Sequence, residues 1–410
     1  MTKTSFKAIV LAVAMTVGGS ALPHTALAAG PTNSPAAGKT LQAANTAMRA
    51  KKWDEAMTHL KEVNNIAGHT AADTYIANQM MAFVLVSQQK YAEAAPILES
   101  QMSSSFASAT EKNQINKQLL PIYLNLKNYP KVIEIGQALV AAGTADGTTY
   151  NVMAQAYEKQ GKLGDAIKFM KSRIDGATGK GAKPSENDLL ILLDFQGRQK
   201  DNAGRAETFE KLVSFYPKPQ YWANIMPQLI NAPENTDDVT INIYRLMAST
   251  GTLKKHEDYS EFAKLAVVEG AAGEAVAIMQ KGMTANVFPD ERKAAANRLL
   301  ESAKKQLTAD QAGLAKAEAD ANAAAKGDAD VRLGKTYYGL GQYEKATEVL
   351  KRGIGRGNVT NPTEAQLLLG IALSAQKKNG EALAAFRAAG KAGSDPKFAN
   401  VARYWAVNTK

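Results

Sequence analysis

From about residue 39 to its end, this chain repeats apolar residues at spacings of three and four, the periodicity of an amphipathic helix. Helix-forming residues dominate the same stretch, and no long alternation of apolar and polar positions competes with them. The pattern therefore predicts an all-α protein. A second, longer repeat is marked by a small residue at one recurrent position. That position holds Ala56, Ala94, Val132, Ala166, Ala206, Ala275, Ala346 and Ala382.

The intervals between these positions are 38, 38, 34, 40, 69, 71 and 36 residues, so each of the two long intervals contains one weaker unit. A period of this length is typical of stacked helical hairpins, which bury their core only against neighbouring hairpins. We expect about ten hairpins. A further helix over 398–407 is expected to cap the last apolar face.

The clearest unit, 329–359, shows which residue types the hairpin uses. Gly334 and Ala346 are small enough to let two helices approach closely, and Tyr337 fills the space between hairpins. Gly341 ends the first helix in a left-handed conformation that other residues resist. This arrangement resembles the tetratricopeptide repeat, and the resemblance covers nearly all of the chain after residue 38. It implies a right-handed α-solenoid with a concave groove.

The units differ in how closely they follow that pattern, and the alanine-rich segment is expected to form two long helices that meet near 308–310. A bend or joint in the solenoid is expected near 176–184 or 231–238, where loop-forming residues cluster. The predicted segments are N-terminal hairpins at 39–180, divergent hairpins at 184–289, an atypical alanine-rich hairpin at 290–325, and C-terminal repeats with a capping helix at 326–410.

The N-terminus has the pattern of a secretory signal peptide. Lys3 and Lys7 precede a short apolar run at 9–17, and Ala26 and Ala28 form a small-x-small cleavage site. We expect residues 1–28 to be removed, residues 29–38 to be a flexible mature N-terminus, and the protein to be periplasmic. After cleavage, no segment reaches membrane-spanning length.

The composition limits the chemistry. The chain has no cysteine, which excludes disulfides and thiolate metal sites. Its net charge is +10, but the basic residues are dispersed and carry no interleaved aromatic residues, so nucleic-acid binding is not indicated. The four histidines lack ligand spacing, and neither a phosphate loop nor a nucleophile elbow is present. The sequence predicts no catalytic, cofactor or metal site and a protein that is not an enzyme.

Binding is expected in the groove, which the first helix of each hairpin lines. Polar side chains there could hold an extended peptide backbone and its carboxylates. Trp222 and Trp405 are expected to pack in the core rather than in an interface. The residues predicted to face the groove are Gln79, Lys117, Asn151, Gln155, Glu158, Arg198, Lys264, Lys335 and Tyr338.

A narrower resemblance joins the segment YPKPQYW (216–222) with the final repeats, 365–405. Their order is similar to that of periplasmic repeat proteins that accompany the TonB, ExbB and ExbD energy-transduction machinery, and it implies an accessory of TonB-dependent transport with envelope proteins as partners. Two alternatives stay open: an envelope enzyme subunit that acts on glycan, and a carrier of a hydrophobic ligand inside the superhelix.

Overall fold

The computed structural model describes residues 32–391 and 394–409. These residues form twenty α-helices and one short 3₁₀ turn and contain no strand, which confirms the all-α prediction. The chain divides between Lys162 and Leu163 into two compact units, unit 1 and unit 2, which we describe separately. The predicted signal peptide, 1–28, lies outside the described residues.

Unit 1 consists of three hairpins followed by the helix α7. One apolar cluster joins α1, α2 and α3, and a second continues from α3 to α7, so each hairpin buries its core against the next. The helices are α1 (Pro35–Arg49), α2 (Trp53–Glu62), α3 (Ala71–Ser87), α4 (Tyr91–Met102), α5 (Ala109–Asn125), α6 (Tyr129–Ala141) and α7 (Gly147–Lys159).

Unit 2 begins with α8, contains five hairpins, and is interrupted before its last two hairpins by one long helix, α15. The helices are α8 (Leu163–Gly179), α9 (Glu186–Arg198), α10 (Asn202–Phe215), α11 (Pro219–Ile230), α12 (Asp237–Ser249), α13 (His256–Val268), α14 (Ala272–Thr284), α15 (Asp290–Ala323), α16 (Asp328–Gly339), α17 (Tyr343–Arg356), α18 (Pro362–Ala375), α19 (Asn379–Ala389) and α20 (Pro396–Asn408).

The turns within several hairpins have a residue in the left-handed conformation at the same position. Gly341, between α16 and α17, has φ +72°, as its sequence position predicts. In other hairpins the same position is held by a residue with a side chain: Lys51 has φ 57°, Gln89 φ 60° and Lys127 φ 58°. Each of these residues accepts a left-handed conformation that costs about 1–2 kcal/mol, because the turn fixes the approach of the second helix.

A small residue where the two helices of a hairpin approach closely is the second feature that recurs. A Cβ placed on Gly334 would lie 2.6 Å from Cγ of Leu350 on α17, so only glycine fits there. Ala346 is completely buried in the same hairpin. Gly370 has the same relation to Phe386 in the α18–α19 hairpin. The small residues therefore act as the sequence predicts, and the prediction of stacked helical hairpins is confirmed.

The alanine-rich segment is not the hairpin that we expected. α15 runs unbroken from Asp290 to Ala323, with no turn near 308–310. It contains no proline, and its one glycine, Gly313, costs only about 1 kcal/mol relative to alanine, which does not end a helix of strong helix formers. From 304 to 320 none of its residues is fully buried, so this part of α15 is an exposed single helix.

The N-terminal prediction is also partly wrong. Of the segment 29–38, which we expected to be flexible, residues from Pro35 onward belong to α1, and Ala37 is fully buried. Ser34 caps the helix by accepting a hydrogen bond from the Ala37 backbone, and proline follows at the first helical position. Both residues are helix-start signals that outweigh a small-residue composition.

Unit 2 closes on itself through α20, which does more than cap the last hairpin. α20 packs on α18 and α19 and also on α10 and α12, from the beginning of the unit. Trp405 donates from Nε1 to the backbone oxygen of Asn242, and Tyr404 donates to Glu210 at 2.6 Å. Arg403 donates to both oxygens of Glu210, at 2.8 and 3.1 Å.

Two helices explain why unit 2 closes. Every residue of 241–247 in α12 and of 367–373 in α18 is buried. A helix that is buried on all sides needs neighbours on all sides. α12 has α11 and α13 next to it in sequence, and α20 covers a further side. An open stack of hairpins does not supply that third neighbour.

The two loops where a joint was expected are ordinary connections inside unit 2. Across 176–184, α8 packs against α9, and Arg173 forms a 2.9 Å ion pair with Asp188. Across 231–238, α11 packs against α12. Their glycine- and asparagine-rich composition marks the loop itself, and helix packing continues across it.

Candidate functional site

The nine predicted groove residues are divided between the two units. Unit 1 contains Gln79 on α3, Lys117 on α5, and three residues of α7. Unit 2 contains the other four, on α9, α13 and α16. We therefore treat the predicted groove as two surfaces, and their structures differ.

In unit 1 the predicted residues lie on the solvent-facing stripes of first helices. Gln79 is exposed and lies between two half-buried apolar residues, Ile76 and Phe83, at helical spacings of three and four. On α7, Asn151 and Gln155 are half-buried and four positions apart, so they share one face. Glu158 is also half-buried and continues that face.

Lys117 is held in place by a capping residue of the next first helix. Its Nζ lies 2.8 Å from Oδ2 of Asp146, the N-cap of α7. Burial would raise the pKa of Asp146, but the hydrogen bond from Lys117, with further hydrogen bonds from Thr149, lowers that pKa to about 2. Lys117 thus joins α5 to α7, and its ammonium is already paired.

The surface includes two residues that sequence analysis missed, Asn45 on α1 and Phe83 on α3. Each lies eleven positions before the recurrent small residue, as Gln155 does, so the repeat register was sufficient to find them. Both side chains are half-buried. We name the set the first-helix surface: Asn45, Gln79, Phe83, Lys117, Asn151 and Gln155.

The chemistry of the first-helix surface suits a peptide chain. Each primary amide offers both donors and an acceptor, which is the complement of a peptide group. α1 is linked to α3 where the Ser34 backbone donates to Asp73 at 2.7 Å, and α5 is linked to α7 through Lys117. Packed helices lie about 8–10 Å apart, so neighbouring first helices present these groups roughly every three residues of an extended chain.

In unit 2, Arg198 and Lys264 are exposed and form ion pairs within their own helices. Arg198 is 3.7 Å from Asp194, and Lys264 is 3.2 Å from Glu261. Exposed pairs of this kind contribute roughly 0.3–0.5 kcal/mol. Their role in partner binding stays a prediction.

Lys335 does not face an open groove. Its Nζ lies 2.7 Å from Glu269 Oε2 and 2.6 Å from Glu364 Oε1, and 15% of its side chain is exposed. Burial would lower the pKa of Lys335, but the charges and hydrogen bonds of Glu364 and Glu269 outweigh it and raise that pKa. The expectation of a solvent-facing lysine therefore fails, because the ammonium joins the end of α13 to α16 and α18.

Tyr338 is half-buried and packs against a buried ion pair of unit 2. Its ring centroid lies 5.0 Å from the guanidinium carbon of Arg245 and 5.3 Å from the ring of Tyr343. Arg245 is 3% exposed and donates to both oxygens of Glu274 and to Asn242. Burial raises the pKa of Tyr338. This side chain packs on the guanidinium of Arg245, and its role in partner binding stays a prediction.

Both tryptophans in question pack in the core, as predicted. Trp222 is 1% and Trp405 4% exposed. The Trp222 ring meets Tyr404 edge-on at 6.2 Å, and Trp405 stacks on Phe386 at 5.9 Å.

Within the described part of the chain, no group of three or more histidine, aspartate or glutamate side chains could hold a metal ion. His59 lies near Glu62 and His256 near Glu257, each as a single pair. No described helix is long and apolar enough to cross a bilayer.

No family model matches the sequence, and no curated protein matches it. Among solved structures, the chain is similar to MamA from Desulfovibrio magneticus RS-1, at 19% identity and a TM-score of 0.33 over 44% of this chain and 96% of MamA. It is also similar to a tetratricopeptide repeat protein from Parabacteroides merdae, at 11% identity and a TM-score of 0.30, over 82% of this chain and 98% of the other. Yeast Tom70 aligns at 9% identity and a TM-score of 0.26, over 90% and 94% of the two chains.

The hairpins described above are of tetratricopeptide repeat type. Superpositions at these TM-scores carry no argument about function. The small residues at close helix approaches, the left-handed turns and the hairpin-by-hairpin core make the same assignment from the chain itself.

Proposed function

We propose that this chain is an exported, non-enzymatic scaffold that binds an extended segment of a protein partner on the first-helix surface of unit 1. One observation carries the proposal: half-buried or exposed amide side chains occupy two positions of the repeat, fifteen residues before the recurrent small residue on α3 and α7 and eleven residues before it on α1 and α7. Amides so spaced can hydrogen-bond an extended backbone, while Phe83 offers an apolar contact for a partner side chain.

The export part of the proposal rests on the signal-like N-terminus, with cleavage after Ala28. Sequencing the N-terminus of the protein purified from its native envelope tests it. We expect the mature chain to begin at Ala29. Recovery of a chain that still begins at Met1 would contradict export by cleavage.

The binding part is tested by site-specific photo-crosslinking in the native host. A photoreactive amino acid at Gln79 or Gln155 should form a discrete crosslinked product with one partner. The matched control is Gln137, an exposed amide on α6, a second helix. Equal crosslinking from Gln137 would contradict assignment of binding to the first helices.

A double variant then connects the partner to the surface. Gln79→Ala with Gln155→Ala should lower recovery of the crosslinked partner, measured at a third position such as Asn45, whereas Gln137→Ala should not. Exposed substitutions usually change stability by less than about 0.5 kcal/mol, so circular dichroism should show intact folding in both. TonB, ExbB or ExbD among the captured partners would support the accessory role in transport that the order of repeats suggests.

A further inference from the structure

The net positive charge of this chain is concentrated at its end. Lysine and arginine are dispersed along the chain, but the acidic residues that balance them become scarce in the last helices of unit 2. Residues 351–410 contain ten lysine and arginine residues and three acidic residues, a net charge of +7. The whole chain carries +10, so the 350 residues before this segment contribute only +3. Most of the charge that could attract an anionic partner therefore lies in this segment.

The three acidic residues of the segment already have partners of their own. Glu364 lies 2.6 Å from Lys335, and Glu381 lies 2.8 Å from Lys351. Asp395 caps the start of α20 by accepting a backbone hydrogen bond. These carboxylates therefore leave much of the positive charge of the segment unpaired.

Four cations surround α19 and form no ion pair within the part of the chain that the structure describes. They are Lys377 and Lys378 in the turn before the helix, Arg387 in its last turn, and Lys391 just after it. All four are exposed. α19 has eleven residues and is about 16 Å long, so the charges flank both ends of one short helix. We name these four residues the α19 cationic surface.

The composition of this surface is unlike that of a protein interface. Protein interfaces are enriched in aromatic residues and depleted in lysine, whereas three of these four cations are lysines. Every aromatic residue of α19 and α20 is buried, and none of the large apolar side chains that are exposed among the described residues lies in 351–409. A lysine ammonium is a compact charge on a flexible stem and needs no shaped partner. The surface therefore suits many mobile anions better than one folded partner.

Anionic phospholipid headgroups are anions of this kind, because lipids diffuse in the plane of a membrane and can gather beneath fixed charges. Their attraction for a protein grows with each lysine or arginine near the membrane and falls off within a Debye length. The export that we propose would bring the chain next to such membranes in the envelope.

We propose that the α19 cationic surface binds the headgroups of anionic phospholipids and so holds unit 2 at a membrane surface. The place of this contact in the cell rests on the proposed export, but binding to vesicles does not. The site shares no residue with the first-helix surface, so either proposal can fail while the other stands.

The test measures binding of the protein, purified from its native host, to sedimented lipid vesicles. One set of vesicles contains phosphatidylcholine alone, and the other contains phosphatidylcholine with phosphatidylglycerol. We expect at least about tenfold stronger binding to the anionic vesicles at low salt, and a decline of this preference as salt is raised, because exposed charges are screened.

A fourfold variant assigns the binding to residues. Replacing the four cations of the α19 cationic surface by glutamine should lower binding to anionic vesicles by at least about tenfold. Glutamine suits the turn, because Gln89 has φ 60° in another hairpin and Lys377 has φ 61°. The matched control removes the same number of charges from exposed lysines of unit 1 and should keep most of the binding. Its substitutions are Lys61→Gln, Lys90→Gln, Lys159→Gln and Lys162→Gln.

Circular dichroism checks that each variant is folded. If the fourfold variant fails to fold, Arg387→Gln with Lys391→Gln should still lower binding measurably. Equal binding to the two kinds of vesicle, or no binding to anionic vesicles at low salt, would overturn the proposal. So would equal losses in the fourfold variant and its control, since net charge alone would then explain the binding.

Discussion

The indole Nε1 of Trp405 donates a 3.2 Å hydrogen bond to the backbone oxygen of Asn242, 163 positions earlier in the chain. The same indole stacks on Phe386 of α19. One side chain thus connects α19 and α20, the last two helices of unit 2, to α12. Substitutions of Trp405 can therefore measure how much the closure of this unit by α20 contributes to its stability.

Trp405→Ala should destabilise unit 2 by about 3–5 kcal/mol, because it removes a large buried aromatic side chain and leaves a cavity. Trp405→Phe keeps most of the apolar volume and loses the hydrogen bond, so its cost should be clearly smaller. Urea denaturation followed by far-UV circular dichroism measures both. Unfolding curves that coincide with wild type for both variants would mean that α20 does not close the unit.

Gly334→Leu should cost about 1–3 kcal/mol or more, since the new side chain would overlap Leu350. Gly313→Leu is the matched control, because a Cβ at Gly313 would meet no atom within 4 Å. There the same substitution should stabilise by up to about 0.8 kcal/mol through helix propensity. Thermal denaturation of both variants measures these opposite effects on stability. If Gly334→Leu and Gly313→Leu changed the stability in the same direction, the assigned packing of the hairpin would be contradicted.

Asp73 makes unit 1 sensitive to acid. Burial would raise its pKa, but hydrogen bonds from Ser34 and Thr70 outweigh burial and lower the pKa from 3.8 to about 2. A carboxyl group with a depressed folded-state pKa contributes stability that is present above about pH 4 and is lost as pH falls toward 2.

Asp73→Asn should therefore lower the stability of unit 1 at pH 7 and flatten its dependence on pH between about 4 and 2. Denaturant titrations at a series of pH values measure both effects. Wild-type and variant curves that stay parallel through this range would show that Asp73 does not contribute to the acid sensitivity.

Arg245 and Glu274 form the most deeply buried ion pair of the α12–α14–α16 network, at 2.7 Å. Arg245→Met alone should cost about 3–5 kcal/mol, because it leaves the Glu274 carboxylate buried without its partner. Adding Glu274→Leu should recover most of that loss. A double-mutant cycle of unfolding free energies measures the coupling, and strictly additive effects would contradict it.

The sequence was sufficient to predict the features that recur from hairpin to hairpin. Gly334, Ala346 and Gly341 have the roles that their residue types predict, since each role depends on local sterics. It failed at 308–310, where two helices were expected to meet although no residue there ends a helix. The left-handed residue of a hairpin turn was easy to predict where it is glycine, and harder to predict at Lys51 and Gln89, which have side chains.

Long-range packing accounts for the errors at the candidate site. The positions of Lys335 and Tyr338 within the repeat predicted that both lie on a first helix, and both do. The prediction that their side chains face a groove also assumed that this part of the chain forms an open groove. Their carboxylate and guanidinium partners come from α12, the α13–α14 connection, α14 and α18, which no local pattern brings together. The unbroken apolar run at 367–373 in α18 was the available sequence signal, because a helix without a polar face does not line an open surface.

The position of α20 also has a consequence for the order in which the protein can fold. A stack of hairpins can start folding anywhere and grow from each hairpin to the next while synthesis continues. In unit 2, the last neighbour of α12 arrives only with the final helix, so the unit's core cannot be completed until nearly the whole chain exists. Chain closure over such a separation slows folding. Until then one side of α12 stays uncovered, and apolar surface that is exposed in this way during folding favours aggregation.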